Sequence, residues 1–137
     1  MGHTLMEVLV SILIMTMTVV ATVNGYLLSS YRAEWSAHSL AAHSLALQRI
    51  EQVRAAKWDQ AAYPAVDQVV QANFPVTTNV LDLPSSGTNM VYATNYTTIT
   101  TVSTNPPLKM VRVDCVWQFP GRGVYSNTVV SYRAPDQ

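Results

Sequence analysis

One carboxylate, Glu7, stands near the start of an otherwise uncharged, apolar run that extends from Leu5 to Leu28. Holding an ionisable group inside such a segment costs on the order of a few kcal/mol, which makes Glu7 a functional candidate by default. The other residues that could do chemistry are few. Cys115 is the single cysteine, so an intrachain disulfide is excluded. A thiol nucleophile needs a partnered histidine, and none is placed for it. Cys115 lies between Val113 and Trp117 in an alternating run and reads as a small buried hydrophobe. His38 and His43 are five apart in a helical stretch, whereas metal-binding pairs on a helix are usually four apart and joined by further ligands. They read as surface or packing residues. Asp59, Asp67, Asp82 and Asp114 are scattered, without the close spacing of a calcium loop. No metal, cofactor or catalytic constellation is expected, and the chain reads as a non-enzyme.

The element that must carry Glu7 is a long helix. Leu5 to Leu28 is 24 positions, and at ~1.5 Å per residue that is roughly 36 Å of helix. Such a length crosses a hydrocarbon core of ~30 Å with some tilt. The helical pattern continues beyond it. No proline occurs before Pro64, and residues 33–58 are rich in Ala, Leu, Gln, Glu, Arg and Ser, mostly good helix formers. Leu40, Leu47, Ile50 and Val53 fall at helical spacing with Ala42 and Ala46 beside them, predicting one apolar stripe. Arg49, Glu51, Gln52, Arg54 and Lys57 are expected on the other faces. An unbroken helix from Leu5 to Trp58 is the expectation, with Asn24-Gly25 as its weak point, because glycine costs about 1 kcal/mol in a helix interior.

Beyond Trp58 the composition changes to Thr, Val, Asn, Ser and Tyr, punctuated by seven prolines. Strands are expected at Val76–Leu83, Met90–Ser103, Leu108–Phe119 and Val124–Arg133. In the third, Val111, Val113, Cys115 and Trp117 face one way and Arg112, Asp114 and Gln118 the other. Pro120-Gly121-Arg122-Gly123 is the turn of an antiparallel hairpin. A long helix followed by a small antiparallel sheet is an α+β arrangement, and the outer helix stripe is the cover for one sheet face. With eight basic and eight acidic residues, the chain has no electrostatic footprint for nucleic acid. Only Lys109, Arg112, Arg122 and Arg133 carry positive charge after Lys57.

The run Gly2-His3-Thr4-Leu5-Met6-Glu7-Val8-Leu9-Val10 resembles the processing site of type IV pilins and of the pseudopilins of type II secretion. In that family a dedicated peptidase cuts after the glycine and methylates the new amine, and a glutamate is the fifth residue of the mature chain. The resemblance implies cleavage between Gly2 and His3, an N-methylated amine at His3, and Glu7 as the assembly residue. The family usually has phenylalanine where His3 stands and a longer basic leader before the glycine, so the expectation is that either the true start lies upstream or the sequence has been trimmed. Leu45 to Trp58 is similar to the helix segment that follows the anchor in minor pilins and pseudopilins, and Val113-Asp114-Cys115-Val116-Trp117 looks like their C-terminal strand.

The organisation implied is a residual leader at 1–2, a membrane and filament-core helix at 3–28, the exported half of the helix at 29–62, and a pilin-like sheet domain at 63–137. The implied function is that of a minor structural subunit of a type IV pilus or type II secretion pseudopilus. It would sit in the bacterial inner membrane in a single pass with its C-terminal domain exported. Its partners would be sister subunits, the prepilin peptidase, the inner-membrane assembly platform and lipid. In the filament core the carboxylate of Glu7 would meet the amine of His3, on its own or a neighbouring subunit, and low dielectric strengthens such a pair. Other readings of the first segment are a plain anchor, which gives no reason for Glu7, and a signal peptide. The latter needs a positive n-region and an apolar core of about 7–15 residues; here Ala21-Thr22-Val23 is a weak cleavage-like site. For the whole chain the alternatives are a membrane-anchored binding protein and a DNA-binding competence pilin, which would need a basic patch.

Overall fold

Unbroken by proline, the chain forms one helix, α1, over Leu5–Ala55. The computed structural model describes residues 4–82 and 90–136, the side chain of Asp82 excepted. Two compact units divide between Ser36 and Ala37, and α1 contributes to both. In the first unit the carbonyl of Thr4 accepts from the N–H groups of Glu7 and Val8, at 3.0 and 3.3 Å, opening the helix. Helix persists through Asn24 and Gly25, where nothing crowds the glycine. Hydroxyls along the apolar run turn inward. Ser11, Thr16, Thr18 and Thr22 each donate to the carbonyl four residues earlier at 2.8 Å. Back-bonding of this kind hides polar atoms that would otherwise face lipid.

The helix ends three residues short of the expected Trp58. The Ala56 N–H closes on the Val53 carbonyl, and the Lys57 N–H donates to Gln68 Oε1 at 3.0 Å. Trp58 then turns under the domain and is 2 % exposed. It opens β1, Trp58–Asp59, which pairs antiparallel with β2, Val66–Asp67. Burying an indole outweighs the gain from extending the helix by one more turn.

Four further strands form an antiparallel meander: β3 (Thr77–Asp82), β4 (Val91–Thr104), β5 (Pro107–Phe119) and β6 (Gly123–Arg133). These bounds match the sequence expectation to within one or two residues. The β5–β6 turn carries Gly121 and Gly123 at positive φ, 72° and 134°, which a side chain would strain. On β4, pairing with β3 stops at Asn95, opposite Thr77. Past that point the Gln71 side chain, from a 3₁₀ turn at Gln71–Asn73, stands in for a strand. Its amide donates to the Thr97 carbonyl, and its Oε1 accepts from the Ile99 N–H. This satisfies an edge that would otherwise leave backbone groups unpaired.

Period-2 alternation puts Ala93, Asn95 and Thr97 of β4 and Val111, Val113, Cys115, Trp117 and Phe119 of β5 on the buried face. The helix covers them from the second unit with Ala42, Ala46, Ile50 and Val53 of the expected stripe, but not with its two leucines. Leu40 is 73 % exposed and Leu47 also points outward, whereas His38, Ala42, Ala46, Arg49, Ile50 and Val53 are buried. At ~100° per residue, Leu40 lies about 200° round the helix from both His38 and Ala42. The expectation for Leu40 and Leu47 is therefore corrected, and so is that for Arg49, which is buried rather than on an outer face. The physical reason is volume. The sheet supplies bulk in Trp117 and Phe119, and two of the facing helix positions, Ala42 and Ala46, are small, so that the core closes without overpacking.

Candidate functional site

Glu7 sits in the first turn of α1. Its carboxylate is placed where the unsatisfied N–H groups of a helix start carry partial positive charge, which favours an anion by about 0.3–1 kcal/mol. With Val8, Ser11, Ile12 and Met15 it lines a shallow groove on one helix face. From Thr4 to Ser36 every residue is exposed, and the helix is long and apolar enough to cross a membrane. Glu7 is the only Asp, Glu, Lys or Arg before Arg32. Gly2 and His3, the proposed cleavage pair, lie outside the described residues.

The structure separates the remaining sequence candidates. His38 is 4 % exposed and packs its ring against Trp117 and Phe119, with centroids 5.9 and 5.7 Å apart. His43 is exposed, so the two do not converge. Cys115 is fully buried in the core. Burial pushes its thiol from 9.0 up to about 11, which suppresses thiolate chemistry. Asp59, Asp67 and Asp114 hold structure rather than share a site, and the side chain of Asp82 lies outside the described residues. Asp59 accepts from the N–H groups of Ala61 and Ala62 at 3.0 Å. Asp67 pairs with Lys109 and accepts from the Val69 N–H. Asp114 is pushed up by burial, but the Thr128 hydroxyl and the Arg112 guanidinium more than offset this and hold its carboxyl below 3.8. Among the described residues no group of three or more His, Cys, Asp and Glu side chains converges.

The late cations are similarly engaged. Lys109, 8 % exposed, donates to Asp67 and the Val69 carbonyl and lies 4.7 Å from the Trp58 ring centre. Arg133 bonds the Val53 carbonyl at the helix end and Asp136. The Asp136 carboxyl is held below 3.8, first by the Trp58 N–H and then by Arg133. Arg112 pairs with Asp114 at 2.9 Å. Three of the four positive charges after Lys57 thus face a carboxylate, and Arg122 lies at the hairpin turn.

Sequence reasoning missed one group of residues. Arg49 is 8 % exposed, in a cleft with Gln48, Gln52, Thr77, Asn79 and Asn95. Its guanidinium donates to Gln52 Oε1, the Pro75 carbonyl and Thr77 Oγ1 at 3.0, 3.1 and 2.6 Å. An arginine among charged neighbours on a helix reads as solvated, and the available signal was its place on the stripe, three residues after Ala46 and four before Val53. No family model, curated protein or solved structure matches the chain.

Proposed function

We propose that this chain is a structural subunit of the type IV pilin class, a minor pilin or minor pseudopilin, with no chemistry of its own. It is cut after Gly2, methylated on the amine of His3, anchored in the bacterial inner membrane by α1 with the sheet domain exported, and drawn into a filament by the assembly platform. The observation that carries this reading is the carboxylate of Glu7. It is the one charge in the first turn of an exposed apolar helix, at an offset of five from Gly2. The continuation of that helix into a second unit, where it covers the sheet, supports the same reading, because one element then serves both anchoring and folding.

In the filament core, the amine of His3 from the same or a neighbouring subunit answers Glu7. Only one axial offset brings the two charges together, so the pair sets register. Removing one partner of a buried pair costs about 3–5 kcal/mol, or roughly two to four orders of magnitude in an assembly equilibrium. Glu7→Ala should be processed normally and yet be missing from sheared filaments. Normal incorporation of that variant sinks the account. Replacing Gly2 should leave the leader attached, read as retained mass on the intact protein.

A further inference from the structure

We propose that the cleft between α1 and β3 binds a small hydroxylated carboxylate of the uronic-acid class. The inference rests on the Arg49 cluster alone and goes beyond the assembly reading.

The first part of the argument is charge. Arg49 is almost wholly buried, and its three hydrogen bonds go to neutral acceptors: an amide, a backbone carbonyl and a hydroxyl. Among the described residues no carboxylate pairs with it. A buried charge is ordinarily matched by an opposite one. A guanidinium has five N–H donors, so donors remain after those three bonds. The cleft wants an anion.

The second part is the amide lining. Asn95, 3 % exposed, presents an Oδ1 with no partner among the described residues. Buried side-chain acceptors without a donor are uncommon and ask for one. A plain anion cannot supply it, but a hydroxyl can. Gln48, Gln52 and Asn79 add further amides, each able to donate and accept, at the rim of the same cleft. Leu45 offers one apolar wall for the carbon face of a ring.

Size and charge narrow the class. The cleft holds about 180 Å³, below the roughly 300–1,000 Å³ of drug-sized sites, which suits one sugar ring. Among the described residues Arg49 is the only charged one in the lining, so a monoanion balances it and a phosphate dianion does not. A free amino acid would bring an ammonium group, and among the described residues no carboxylate lines the cleft to receive it. Water satisfies Asn95 but leaves the charge of Arg49 unanswered.

The test uses the full chain in detergent micelles, with side-chain amide NMR signals as the readout and glucuronate, glucose and acetate as probes. Glucuronate should shift the Asn79 and Asn95 amide signals saturably, half-saturating near or below about 1 mM. Glucose and acetate should bind about tenfold or more weakly, since each lacks half of the recognised chemistry. Asn79→Asp adds a like charge at the rim and should weaken glucuronate by about tenfold or more, with an unchanged circular dichroism spectrum. Asn79 has no side-chain bond to lose, so this variant separates binding from folding where Arg49→Gln could not. No saturable shift with glucuronate overturns the proposal. Equal binding of acetate, or undiminished binding by folded Asn79→Asp, overturns it as well.

Discussion

Ala46→Leu and Leu40→Ala form a pair of substitutions that asks which face of α1 holds the sheet domain together. Ala46 is 0 % exposed and belongs to the core cluster with Trp117, Val113 and Cys115. A leucine there adds three carbon atoms to a packed site, which costs about 1–3 kcal/mol through displaced side chains and backbone. Leu40 is 73 % exposed, and surface changes away from special features stay within about 0.5 kcal/mol. For a domain of about 100 residues, each 1 kcal/mol lowers Tm by roughly 4–8 °C. Ala46→Leu should therefore lower Tm by about 4–24 °C, whereas Leu40→Ala should move it by no more than about 4 °C. The assay is thermal unfolding of the full chain in detergent micelles, followed by near-ultraviolet circular dichroism of the tryptophans. If the leucine stripe faced the sheet, the order would reverse. Leu40→Ala would then cost the 2–5 kcal/mol of a core truncation and Ala46→Leu almost nothing, and the argument from volume would be wrong.

Two further outcomes follow from groups whose ionisation the fold perturbs. Cys115, buried and with its thiol pushed up to about 11, should react with iodoacetamide only as fast as the domain opens; rapid labelling of native protein would contradict its place in the core. Asp114 and Asp136 are both held below 3.8, so the native state binds fewer protons than the unfolded chain there. Their contribution is present above the ordinary carboxylate range and is lost as pH falls through the folded values. Asp136→Asn should accordingly make the fall of Tm below about pH 4 shallower, and a slope equal to the parent's would refute the assignment.

The strands were legible because their signal is local. In β5 the alternation of Val111, Val113, Cys115 and Trp117 against Arg112, Asp114 and Gln118 needs no knowledge of partners, and burial follows it residue by residue. The helix face was not legible in the same way. Leucine marks a stripe only when the opposing surface is flat or small, and here the sheet contributes Trp117 and Phe119. Ala42, Ala46, Ile50 and Val53 of the expected stripe face the sheet, and Leu40 and Leu47 are the positions that the leucine pattern misplaced. Arg49 was hidden for a related reason, since its burial is imposed by Pro75 and Thr77, some 26 and 28 residues away. The two-residue strands β1 and β2 have no periodicity to read. Trp58, Asp67 and Lys109 make a unit only once the chain has folded back through the turn before β3.

If the chain is the filament subunit we propose, the position of Glu7 in its helix would reconcile two demands on one residue. A carboxylate at a bilayer centre costs about 2.5–3.5 kcal/mol, enough to disfavour storage in the membrane. At the first turn it lies close to an interface and to the positive end of the helix dipole, and both reduce that cost. The hydroxyls beyond it are already bonded to their own backbone, so they ask nothing of a neighbour. On the proposed function, a subunit held in the membrane would thus be tolerably solvated, and the carboxylate would become costly when the first turn is taken into a dry helical core. There the carboxylate no longer has lipid headgroups or water, and a neighbour that presents an amine at the same depth is selected over one that does not. A glutamate moved one turn deeper, as in Ser11→Glu with Glu7→Ala, should then be inserted less efficiently and fail to restore assembly, because it carries the charge without the register. Restoration of filaments by that variant would mean that charge alone is sufficient, and the offset from Gly2 would lose its significance.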